Sequence, residues 1–224
     1  MLPRLRRLGF DPRPGESLAD TDLRGDLVTT LGNMGDEAVA AEARRRFTAL
    51  AHDPKALDGP LKTTWLAIVA RNATPGEWDR LAEMARTAPT ATERLTYYPL
   101  LGSATDQALA QRALDFALTG EAGTASAQII AAVAGEHADL AFDFALANRA
   151  RVEALVDASG LTGYIAGLAA ASRDPAMIGK LERFRDSSPP DERRGIERRI
   201  AQIRERLASE PRLASEIGAW LAAR

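Results

Sequence analysis

The stretch Ser17–Phe47 reads SLADTDLRGDLVTTLGNMGDEAVAAEARRRF, and it contains two helices and the turn between them. Leu23, Leu27, Val28 and Leu31 recur at four, one and three residues, which places them on one stripe of a helix. Ser17 followed by Asp20 makes a box-like start, because the serine oxygen can accept one of the backbone N–H groups left free at a helix entrance. Gly32 and Gly35 mark a stop, and Asp36 begins the next helix. The reading is a helical hairpin with a very short turn.

The hairpin recurs along the chain. Second-helix starts fall at Asp36, near Pro75, at Asp106, at Asp139 and at Asp174 with Pro175, giving steps of 39, 31, 33 and 35 residues. A period of this length built from antiparallel helix pairs predicts an all-α, α/α superhelix of HEAT or armadillo type. The hexapeptides ALDFAL (Ala113–Leu118) and AFDFAL (Ala141–Leu146) support repetition, although their spacing of 28 is out of register with the aspartates. Gly25, Gly163 and Gly167 lie inside helical patterns, which suits positions where neighbouring helices approach closely. The segment Ala158–Ser172 is apolar nearly all round, as in a helix sandwiched between layers. Ile196, Ile200, Ile203 and Leu207 form a seam, and a separate short helix is expected after Pro211, with Leu213, Ile217, Trp220 and Leu221 on one side. Residues 1–17, with Pro12, Pro14 and Gly15, read as an opening linker, and residues 18–224 as one helical-repeat domain.

Composition agrees with this class. Of the 224 residues, 46% are hydrophobic but only 5% aromatic, which favours closely packed thin helices over a sheet core. No apolar run reaches the roughly 18–20 residues that cross a bilayer, and the start MLPRLRRLGF has no apolar core of a signal peptide. With 29 Lys and Arg against 31 Asp and Glu, the net charge of −2 offers no global attraction to nucleic acid. The basic clusters Arg4–Arg7, Arg44–Arg46 and Arg193–Arg206 read as solvated helix faces.

Catalytic patterns are missing. There are no cysteines, which removes thiolate chemistry and thiolate metal sites. The two histidines, His52 and His137, are far apart in sequence, so no H-E-x-x-H pair exists and both read as surface or helix-end residues. No G-x-S-x-G elbow or phosphate-binding loop occurs. No catalytic or metal-binding residue is assigned. Tyr97 and Tyr98 precede Pro99, which must bend a helix; the expectation is that one ring packs in the core while the other faces a different surface.

A family resemblance joins these observations. Gly9, Phe10, Pro12, Gly15, Glu16, Ser17, Leu23, Arg24, Ala43 and Phe47 resemble the start of the C-terminal helical domain of aminopeptidase N-like zinc metallopeptidases, which include the endoplasmic-reticulum and puromycin-sensitive aminopeptidases. The run from Glu77 to Leu118 is similar to that family's tryptophan helix and the segment after it. AGEHADLAFDFALANRARV is similar to its next helix, with Phe142 in place of the usual tryptophan, and the isoleucine-rich close ending in Trp220–Leu221 completes the order, so the likeness spans Leu8 to Ala222. Physically, Phe10 can anchor the opening segment, Pro12 and Pro14 stiffen it, and Gly15 turns it.

The resemblance implies a non-catalytic C-terminal domain that caps the active site of a parent zinc aminopeptidase and forms its peptide chamber. The zinc and its ligands belong to an upstream catalytic domain of the same polypeptide, and no cofactor is expected in this chain. Tyr98 and Arg149 are the candidate chamber-wall residues. The expected partners are that catalytic domain and peptide substrate, with no nucleic acid and no membrane segment; the compartment is cytoplasmic or that to which the parent is exported. The alternative is a stand-alone HEAT-like adaptor that binds a partner helix or peptide.

Overall fold

A computed structural model describes residues 1–223; the side chains of Ala158, Ser159 and Thr162, within the segment read as apolar all round, lie outside the described residues. Among the described residues every regular element is helical. The chain forms two compact units, Met1–Asp106 and a second from Gln107 onward.

The first unit contains α1 (Leu2–Leu8), α2 (Leu18–Asn33), α3 (Glu37–Ala49), α4 (Lys62–Arg71), α5 (Pro75–Thr87) and α6 (Ala91–Tyr97). Its boundaries follow from local chemistry. Ser17 accepts from the Asp20 N–H, Asp36 from the N–H groups of Ala38 and Val39, and Thr74 with Glu77 closes a reciprocal capping box. Helix α2 ends in a Schellman turn: Gly35 has φ 77°, its N–H donates to Gly32 O, and the Asp36 N–H donates to Leu31 O. Gly35 is therefore the stop residue. Gly32 has a different task, because a Cβ there would lie 2.5 Å from Ile68 Cδ1, so the missing side chain lets α2 and α4 meet. Leu27, Val28 and Leu31 are buried as the stripe requires.

Residues 1–17 include a regular helix, α1, which packs on α2 with Leu5 and Leu8 buried. Tyr97 and Tyr98 are both buried, at 6% and 5% exposure. Pro99 lacks an N–H, and the chain leaves α6 through a 3₁₀ turn, Tyr98–Gly102. Trp78 Nε1 donates to Leu101 O at 3.0 Å and ties the turn to α5.

The second unit contains α7 (Gln107–Ala117), α8 (Ser126–Glu136), α9 (Ala138–Ala147), α10 (Arg149–Glu153), α11 (Ala158–Leu168), α12 (Ala176–Ser187) and α13 (Pro190–Ala222). α7 packs on α8, α9 on α11 and α12 on α13, which gives three helix pairs. Ala113, Leu114 and Ala117 of α7 are buried, as are Ala141, Phe142 and Ala145 of α9, while Asp115 and Asp143 face solvent. The two hexapeptides thus occupy matching faces; the second sits about one helical turn nearer its helix start, which accounts for its shifted spacing. Phe142 is fully buried and meets Phe184 edge-on at 6.1 Å. Close approach at Gly163 and Gly167 does not occur, since a Cβ on either would have nothing within 4 Å. The helix expected after Pro211 is the end of α13, which runs through the proline. Arg206–Glu210 at 4.0 Å and Arg212–Glu216 at 3.7 Å flank it one turn apart, and Ala, Leu, Glu and Arg dominate its neighbours.

Many of the side-chain ties between successive helix pairs span a similar chain distance. In the second unit Arg151 reaches Leu118 O, Tyr164 reaches Ala127 O, Ser172 reaches Asp139, Lys180 reaches Asp143, and Arg206 reaches the carbonyls of Ala170 and Ser172, with separations of 33 to 37 residues. In the first unit Arg80 to Phe47 O and Thr105 to Arg71 O span 33 and 34 residues. That interval matches the period of the helix starts, as expected where each repeat leans on its neighbour.

Candidate functional site

The opening segment of the first unit is held by one buried cation. Arg24, on α2, is 1% exposed. Its Nε donates to Gly9 O at 3.0 Å, one terminal nitrogen reaches Leu8 O, and both terminal nitrogens engage the Glu16 carboxylate. This fork places donors on a carboxylate and on two carbonyls. Arg24 holds the Glu16 carboxyl below its ordinary 4.5, so the pair is charged through the neutral range and opens only as pH falls below that value.

In the segment pinned in this way, Phe10, Asp11 and Pro12 form one wall of a cavity of about 410 Å³. Phe10 and Pro12 come from the pinned segment, Thr21 to Asp26 from α2, and Asp58 to Trp65 from the loop and first turn of α4. Phe10 stands edge-on to Trp65 at 5.7 Å, and the Arg46 guanidinium lies 5.0 Å from the Trp65 ring. The anchoring role read for Phe10 is therefore fulfilled by a partner 55 residues away. Sequence reading did not find this cavity, because its three walls are distant in the chain; the one available signal was an aromatic, Phe10, in a segment otherwise rich in proline and charge.

The cations around the cavity are already engaged. Arg46 bonds Asp11 and Glu42, each at 2.7 Å. Arg24 is committed to Glu16. Lys62 lies 3.9 Å from Glu93 and 5.6 Å from the Tyr97 ring, partners that raise its pKa above the ordinary value.

The two wall candidates lie in different units. Tyr98 belongs to the 3₁₀ turn of the first unit, where its ring is buried. Arg149 opens α10 of the second; its Nε donates to Glu153 Oε1 at 2.6 Å, and its guanidinium lies 5.1 Å from the Phe184 ring. His52 is exposed after α3, and His137 is half-buried at the junction of α8 and α9. Among the described residues no group of three or more His, Asp or Glu could hold a metal ion, so the side chains present do not fit a zinc centre. No described helix is long and apolar enough to cross a membrane.

The family described as ERAP1-like C-terminal domain matches residues 1–209. The chain belongs to this family. It is 26% identical to Aminopeptidase M1-B of Oryza sativa subsp. japonica over 248 aligned positions, which cover 99% of the chain and 27% of that protein. It is 29% identical to Aminopeptidase M1 of Arabidopsis thaliana over 120 positions, covering 51% of the chain and 14% of the relative. The figures for Aminopeptidase M1-A of Oryza sativa are 31%, 124 positions, 53% and 14%. The chain thus spans about a quarter or less of the length of these aminopeptidases. The cavity-lining residues, from Phe10 to Trp65, all lie inside the family match.

Proposed function

We propose that this chain is the non-catalytic C-terminal domain of a zinc aminopeptidase, and that it closes over the active site of an upstream catalytic domain to enclose the peptide. The observation that carries this reading is the family match over residues 1–209, with relatives named as aminopeptidases over a minor share of their length. The chemistry agrees: the sequence has no H-E-x-x-H, no cysteine and two separated histidines, so peptide-bond cleavage requires metal ligands from elsewhere. The catalytic domain is accordingly the partner, and the zinc is its resident group.

In this role the helical stack acts sterically and electrostatically. Polar side chains along the helix pairs of each unit hold the peptide away from its reacting end. In the second unit Arg149, about a third exposed and supported by Glu153 and Phe184, is the wall residue; in the first unit buried Tyr98 supports its own turn from within.

Two measurements test the reading. The coding frame upstream of Met1 should continue without a stop into several hundred codons that include His-Glu-x-x-His; an in-frame stop directly upstream would overturn it. The purified chain, supplied with zinc, should release no fluorophore from leucine or arginine aminoacyl-coumarin amides. Hydrolysis that survives substitution of both histidines would show catalysis of its own and sink the proposal.

A further inference from the structure

We infer that the cavity walled by Phe10, α2 and the start of α4 binds a positively charged side chain on an apolar stem: an arginine or lysine residue of a peptide. Its volume of about 410 Å³ lies in the range of small-molecule sites and holds more than one side chain. The inference concerns the first unit alone and stands whether or not the chain serves a peptidase.

Charge decides the class of ligand. Arg24, Arg46 and Lys62 border the cavity, and each already has an acidic partner, so no free cation is left to receive an anion. Asp22 and Asp26 are exposed one turn apart on α2 and make no hydrogen bond or ion pair among the described residues. Asp58, on the loop before α4, is also exposed and acts on Lys62 only through its field. The carboxylates are not close enough together to hold a metal ion. An extended cation with several donors meets such spaced acceptors better than a compact one, and guanidinium has five N–H groups in a fixed plane.

Shape selects the stem. Phe10, Pro12, Pro60 and Leu61 give the cavity an apolar side. The methylenes of an arginine or lysine lie well along such a surface while the charged head stays at the carboxylates. The space beyond one side chain is what favours a peptide over a small free amine.

The test is a calorimetric titration of the whole chain with acetyl-Leu-Arg-amide, its citrulline isostere and butylguanidine. The arginine peptide should bind, and the neutral isostere should bind about fivefold or more weakly, the size expected for two exposed charge pairs. Butylguanidine, with the same single cation but no peptide, should be weaker than the arginine peptide by a similar factor. The double variant Asp22→Asn, Asp26→Asn changes only exposed side chains, and an unchanged urea midpoint will show that it is folded. It should weaken the arginine peptide and leave the citrulline peptide unaltered. Equal binding of arginine and citrulline peptides, butylguanidine as tight as the peptide, no saturation by the arginine peptide, or an unaffected double variant would each overturn the inference.

Discussion

Helix α13 carries the same kind of apolar pattern in both its halves, with opposite outcomes. Ile196, Ile200 and Ile203 are buried against the second unit, whereas Leu213, Ile217, Trp220 and Leu221 are among its most exposed large apolar residues, Trp220 at 53%. The backbone is helical throughout, so secondary structure does not distinguish the halves. Partners do. At 3.6 residues per turn the second stripe lies roughly 90° round the helix from the first, so it does not continue the face that α11 and α12 cover. Between the halves stand Arg206, bonded to the carbonyls of Ala170 and Ser172, and Pro211, which cannot donate to the preceding turn. The lesson is that periodicity specifies a helix, and only a facing surface converts its apolar stripe into stability.

This contrast can be broken from its buried side first. Ile200→Ala removes a side chain from a filled site and should cost about 2–5 kcal/mol of unfolding free energy, read from urea midpoints. Pro211→Ala should restore a backbone bond and raise the local stability of the exposed half by up to about 3 kcal/mol, seen as slower amide exchange over residues 212–221 with an unchanged global midpoint. Arg206→Ala removes two charge-assisted bonds to carbonyls and should cost about 1–3 kcal/mol, with faster exchange around Ala170–Ser172. Trp220→Ala should change the midpoint by less than about 0.5 kcal/mol, since the ring is exposed. A loss for Trp220 as large as that for Ile200 would mean that the exposed half is covered in solution, and the contrast would fail.

Legibility in the sequence followed the range of the interactions. The helix starts at Asp36 and Pro75 could be read because caps act over three residues, and the structure shows the Asp36 and Thr74 caps with their partners. The repeat period could be read because aspartate or proline recurs near the helix starts, although Asp139 lies within the first turn of α9 rather than capping it. Features that depend on distant chain were not legible. Gly32 looked like a stop signal, yet its role is to admit Ile68 from another helix, while Gly163 and Gly167 looked like contact points and face open space. The 3₁₀ turn that follows Tyr97 at Pro99 was signalled by the proline, but the hydrogen bond from Trp78 that ties it to α5 was not. The cavity in the first unit stayed hidden because Phe10, Gly25 and Leu61 approach one another only after Arg24 has pinned the opening segment. Of the wall candidates, Arg149 gave no sign in the sequence of its stacking on Phe184, 35 residues away.

The regular 33-to-37-residue reach of the side-chain ties has a mechanical consequence. Each described tie joins a helix pair to the adjoining one, so load applied at a unit's end falls on a single seam before the next is strained. Under tension such a unit should peel one hairpin at a time, giving a sawtooth of small, evenly sized extensions in place of one abrupt rupture.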